Sequence, residues 1–107
     1  MIKFESRLID LDYDKIRVGF LFDYINNMNL VKIKKDLEKH INDFNANIDP
    51  KFEYNQSNNK IFAIINFPLD DCESISSIEI ALTRIKYFLQ SFILEGYEHI
   101  NNHKTES

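Results

Sequence analysis

Tryptophan is absent from this chain of 107 residues, which holds only two glycines, two prolines and a single cysteine. Each shortage excludes something. A lone Cys72 closes no intramolecular disulfide and leaves no C-x-x-C redox pair. With Gly19 and Gly96 as the only glycines, glycine-rich phosphate loops and the G-x-S-x-G nucleophile turn are missing. No stretch approaches the roughly 18 apolar residues of a membrane span, and the opening MIKFESRLID carries no signal-peptide core. The expected setting is a reducing cytoplasm. Basic charge is also short: 13 Lys and Arg against 17 Asp and Glu give a net charge of −4. A general nucleic-acid binder needs concentrated cations to displace counterions, so that class is excluded, and a basic partner suits the surface better.

What the chain does hold is an ordinary globular mixture, 44% hydrophobic and 28% charged, with nine Phe and five Tyr to fill a core. This predicts one α+β domain over residues 1–100 and a flexible polar tail over 101–107. IKFESRLID alternates loosely, with Ile2, Phe4 and Leu8 on one side. KIRVGFLFDY alternates strictly, placing Ile16, Val18, Phe20, Phe22 and Tyr24 together. Two such half-buried strands a few residues apart form an antiparallel hairpin. Leu30, Ile33, Leu37, Ile41 and Phe44 then keep helical spacing, with Asn29 as the expected cap and Pro50 closing the segment. A second hairpin follows in KFEYNQ, a turn at SNN, and KIFAIINF, whose apolar faces on both sides mark a central strand. Asp70, Ser74 or Ser76 caps a long helix running to about Ile100, with Ser76 and Glu79 at capping-box spacing. The order β-β-α-β-β-α implies a four-stranded antiparallel sheet with two helices packed on one face. Phe20, Phe22, Ile65, Leu82, Ile85 and Phe92 are the expected core.

Chemical sites are sparse. Asp10, Asp12 and Asp14 in IDLDYDKI match the first three ligands of a calcium loop, but the sixth position is Lys15 rather than Gly and the twelfth is Leu21 rather than Glu. Turn formation by aspartate is the better account. Glu95, His99 and His103 recur at helical intervals, a spacing that can hold zinc on a continuous helix, yet Gly96 interrupts them. Cys72 sits at a helix start between Asp71 and Glu73, which oppose thiolate formation, and lacks a positioned base beyond His40 and His99. Lys32, Lys34, Lys35 and Lys39 make a basic helix face broken by Asp36 and Glu38, without aromatics for base stacking. No metal, cofactor or catalytic group is expected.

The second helix carries the remaining signal. Its main stripe collects Ala81, Leu82, Ile85, Phe88, Leu89, Phe92 and Ile93, while Ile80, Tyr87 and Leu94 fall almost opposite, among Thr83, Arg84, Gln90 and Ser91. A second apolar row calls for a partner. The expected function is therefore a non-catalytic inhibitor that binds and blocks another macromolecule, as bacterial or phage immunity proteins, antitoxins and anti-defence proteins do. Ile80, Tyr87, Leu94, Asp10, Asp12 and Asp14 are the expected partner contacts, and a toxin or nuclease is a fitting basic target. The alternatives are a homodimeric adaptor or secretion-type chaperone joined through the second helix, and a small enzyme with an unrecognised carboxylate site.

Overall fold

Strict alternation makes the hairpin. A computed structural model describes residues 2–23, 27–49, 53–55 and 59–100. In it β1 (Lys3–Leu11) and β2 (Lys15–Asp23) pair antiparallel, with Phe4 opposite Phe22 and Leu8 opposite Val18. The register shifts between Leu8 and Asp10, so Ile9 is the extra residue of a bulge. Ile16, Val18, Phe20 and Phe22 are buried on one face. Tyr24 lies outside the described residues.

β5 (Lys60–Pro68) pairs with β2 along its whole length, from Asp23 opposite Lys60 to Lys15 opposite Pro68. Its free side is shared by two short pieces, β3 (Asn47–Ile48) and β4 (Glu53–Asn55). Continuing the Ile48–Ile65 pair would set Glu53 against Lys60, yet Glu53 faces Phe62. The two pieces therefore lie along the same side of β5 in different registers, and the expected strand in KFEYNQ corresponds to β4. The central position expected for β5 holds.

The α+β class agrees with the sequence reading, but the sheet is mixed rather than purely antiparallel. β6 (Glu98–His99) lies parallel to β1, giving the order β3-β5-β2-β1-β6 with β4 also on β5. The long helix was expected to reach Ile100; instead α2 (Ile75–Leu94) stops six residues earlier. Gly96, at φ 101°, supplies the left-handed residue that ends a helix. The Tyr97 N–H donates to Phe92 O at 3.0 Å and the Gly96 N–H to Ile93 O at 3.1 Å, the two bonds of a Schellman motif. The Tyr97 and Phe92 rings meet edge-on at 5.2 Å, closing the apolar contact that accompanies it. The chain thereby reverses, and Glu98 and Ile100 donate to Ile2 O and Phe4 O.

α1 (Asn27–Asp43) ends the same way at Asn45, φ 54°, with the Ala46 N–H on Ile41 O at 3.1 Å. Pro50 is not its stop, and Asn29 lies inside the helix rather than at its cap, because the helix begins at Asn27. At the start of α2 the cap is Ser74, whose Oγ accepts from the Ser77 N–H at 3.3 Å. Ser77 Oγ in turn accepts from the Asp70 and Asp71 N–H groups, at 2.9 and 3.1 Å, fixing the entry loop.

The buried faces of both helices and of β1, β2 and β5 join in one core, so the helices share a side of the sheet. Rings dominate it: Phe92 meets Phe4, Phe20, Phe22, His40, Phe88 and Tyr97 at 5.2–6.0 Å. Phe20, Phe22, Ile65, Ile85 and Phe92 are buried as expected, but Leu82 is 50% exposed. The buried arc of α2 (Ser77, Ala81, Ile85, Phe88, Phe92) is turned about 50° from the expected stripe at 100° per residue. The cause is α1, whose His40 and Phe44 pack on Phe88 and draw that side of α2 inward.

Candidate functional site

The turn after β1 is built by its own backbone. The Asp12 N–H donates to Lys15 O at 2.8 Å, and Asp12 Oδ1 accepts from the Tyr13 N–H at 2.7 Å. The carboxylates do not converge. Asp10 lies 3.5 Å from Arg17 Nε across the strands, Asp12 lies 4.0 Å from Lys15 Nζ, and Asp14 is exposed. Asp14 O accepts from the Leu69 N–H at 2.8 Å, which ties the hairpin tip to the loop entering α2. The loop is therefore a turn whose first two acids have cations beside them. No trio of metal-ligating side chains gathers among the described residues.

The Glu95, His99 and His103 set is separated. Glu95 closes α2, His99 belongs to β6, and His103 lies outside the described residues. Glu95 Oε1 accepts from Lys39 Nζ at 2.7 Å, which holds its carboxyl below the usual range and pushes the Lys39 ammonium up. His99 Nε2 lies 3.1 Å from Ser6 Oγ; burial holds its pKa below the ordinary value, against the opposing charge of Glu5. Cys72 is half-buried, with its thiol free.

Two polar clusters that no motif announced tie α1 to the segment after α2. Tyr97 OH and Lys32 Nζ both donate to Asp36 Oδ2 at 2.8 Å, and the Lys32 ammonium stands 4.4 Å above the Tyr97 ring. Burial and the Asp36 bond push the Tyr97 phenol far up; burial would raise Asp36, but its two donors hold it low. His40, 6% exposed, sits between the Phe88 and Phe92 rings with Nε2 3.5 Å from Glu95 Oε1. The i, i+4 spacing of Lys32 and Asp36 was the only sequence trace of these clusters.

The second row on α2 stands in solvent. Ile80 is 52% exposed, Tyr87 54% and Leu94 87%. Ile80 and Tyr87 line a shallow depression with Ser76, Glu79, Thr83 and Arg84. Because the buried arc is turned toward α1, this row lies about 120° from the core rather than opposite it. Leu94 ends the helix, roughly 20 Å beyond Ile80 at 1.5 Å per residue, so the hairpin tip and Leu94 stand at opposite ends of α2. Leu82 and Ile93, expected in the core, are also exposed, on the other flank. No helix among the described residues is long and apolar enough to cross a membrane. Comparison with protein-family models, curated proteins and solved structures finds no match to this chain.

Proposed function

We propose that this protein is a non-catalytic binding protein that occupies and blocks another macromolecule, using the outer row of α2 as its anchor. The observation that carries this reading is the half-exposed Tyr87 beside Ile80, with Arg84 and Glu79 at the rim of the same depression. An aromatic anchor ringed by polar groups is the usual anatomy of a binding hot spot. Ile80 and Tyr87 are held by a helix whose other side is locked into the core, so the anchor is ordered before it binds and little entropy is lost on docking. The acidic hairpin contributes charge at a distance from the row, which favours a basic partner through faster encounter. Immunity proteins and antitoxins work this way, and the comparison is by class.

The test takes the product of the adjacent reading frame as candidate partner and measures association and dissociation on a sensor surface. Tyr87→Ala is expected to raise the dissociation rate about 30-fold, corresponding to about 2 kcal/mol, with little change in association. Changing Asp10, Asp12 and Asp14 together to Asn is expected to slow association at low salt and leave dissociation unaltered. A complex indifferent to Tyr87→Ala places the interface elsewhere. A triple variant that associates at the wild-type rate reduces the acidic loop to a turn.

A further inference from the structure

We propose that a second copy of this chain pairs antiparallel with the free edge of β1, about a two-fold axis at Leu8. Among the described residues β6 covers that edge only at its beginning, where the Glu98 and Ile100 N–H groups donate to Ile2 O and Phe4 O at 2.9 and 2.7 Å. Backbone groups of alternate residues point to the same edge of a strand, so those of Ser6 and Leu8 follow Phe4's. Among the described residues no strand pairs with β1 there. An open edge of this kind is a template for another strand.

The side chains beside the edge agree. Leu8 is 60% exposed although it lies on the helix side of the sheet, opposite buried Val18. On α2 the flank carrying Ile80 and Arg84 faces α1, since Asn45 lines one depression with both. The opposite flank, with Leu82 and Ile93, therefore looks toward the β1 edge. Phe4 and Phe92 touch at 5.6 Å. From that contact Leu8 lies about 13 Å along the strand and Leu82 about 15 Å back along the helix, at the same height. Leu8 and Leu82 thus stand exposed at one level on the helix side of the sheet, beside backbone that no described strand pairs.

A two-fold axis perpendicular to the sheet makes the two edges antiparallel, continues the sheet and keeps both helix layers on one side. Charge selects the register. Ser6 opposite Leu8 would set Arg7 directly against its own copy, which is unfavourable. Ser6 opposite Ser6 would require the part of Phe4 already bonded to Ile100. With Leu8 opposite Leu8, Arg7 faces Ile9 of the second copy and lies next to its Asp10, which Arg17 of that copy also meets at 3.5 Å, so no like charges are set directly opposite each other. The bulge at Ile9 ends the pairing just past Leu8, so the contact is short and the dimer forms reversibly with concentration. This surface is separate from the Ile80–Tyr87 row and stands whether or not that row binds a partner.

Sedimentation equilibrium over a concentration series tests it on the full chain. The wild-type mass is expected to rise from monomer to dimer; Leu8→Lys, at an exposed position that leaves the core intact, is expected to weaken the dimer at least about tenfold, and Tyr87→Ala to leave it unchanged. In a Cys72→Ser background, Leu8→Cys is expected to form an intermolecular disulfide on mild oxidation, because directly paired residues fall within disulfide reach. A wild-type chain that stays monomeric overturns the proposal, as does a dimer abolished by Tyr87→Ala and indifferent to Leu8→Lys. Dimerisation that appears only after residues 101–107 are removed also overturns it, since the chain's own end would then hold the edge.

Discussion

Phe92→Ala probes the core at its hub. The ring is fully buried, and its six aromatic neighbours come from β1, β2, α1, α2 itself and the reversal after it. Truncating a buried Phe to Ala costs about 3–5 kcal/mol, the spread reflecting how well the site collapses. Here collapse is poor, because the wall is made of rings held on several elements. Lost ring–ring contacts add a further fraction of a kcal/mol each and do not sum fully. The expected loss is therefore about 4–5 kcal/mol, against a total of about 5–15 for a domain. The assay is urea unfolding followed by far-ultraviolet circular dichroism and tyrosine fluorescence, since the chain has no tryptophan. The midpoint should fall with an unchanged slope. Phe44→Ala is the comparison: that ring is half-buried and meets Phe88 at 5.6 Å, so about 1–2 kcal/mol is expected. Phe92→Leu, at about 1–2 kcal/mol, keeps the measurement available if the alanine variant is unfolded. A loss below about 2 kcal/mol for Phe92→Ala, or one no larger than for Phe44→Ala, would refute the hub assignment.

Gly96→Ala should cost about 1 kcal/mol through the backbone alone, because φ is 101° and an added Cβ meets nothing within 4 Å. Gly19→Ala has the opposite cause, a steric one: the Cβ would stand 2.8 Å from Ile9 Cδ1, whose flexible end moves aside, and 3.1–3.2 Å from the Phe62 ring, which has to shift by a few tenths of an ångström, so a loss set by packing is expected in the same urea assay. Burial lowers the His99 pKa below its ordinary 6.5, so the unfolded chain takes up the proton first. That contribution to stability is present above the unfolded value and lost as pH falls toward the folded one. His99→Gln should accordingly flatten the dependence of unfolding free energy between about pH 7 and pH 5, and an unchanged slope would assign the titration to another group.

Period-two patterning made β2 and β5 legible, because each has a full strand of residues to alternate over and a core against one face. β3 and β6 were not legible, since two residues have no period and their pairing depends on partners far along the chain. The end of α2 was half legible. Gly96 is the residue a Schellman motif wants, but Tyr97 and Ile100 continue an apolar rhythm that reads as more helix. Which arc of α2 is buried lies beyond its own sequence. Apolar residues occupy well over half of its circumference, and the neighbour α1 decides which of them are covered. Leu82 and Ile93 consequently change from core to surface while Ser77 becomes buried.

The aspartates of IDLDYDKI show how a pattern and its meaning come apart. Three acids at alternate positions would share one face of an undisturbed strand and repel one another. The bulge at Ile9 and the turn at Asp12 prevent that, so each acid meets a different environment. Asp10 falls in register with Arg17, which itself sits opposite Asn66 on the face of the sheet away from the helices. Asp12 is drawn into the turn by the Tyr13 N–H. Lys15 and Arg17 follow the acids at the same alternate spacing on the returning strand, so the neutralising charges lie in the same hairpin as the charges they oppose. The charge of the hairpin is thus partly compensated from within, and the acid without a cation named beside it is Asp14 at the exposed tip, whose field falls off in solvent over about a Debye length.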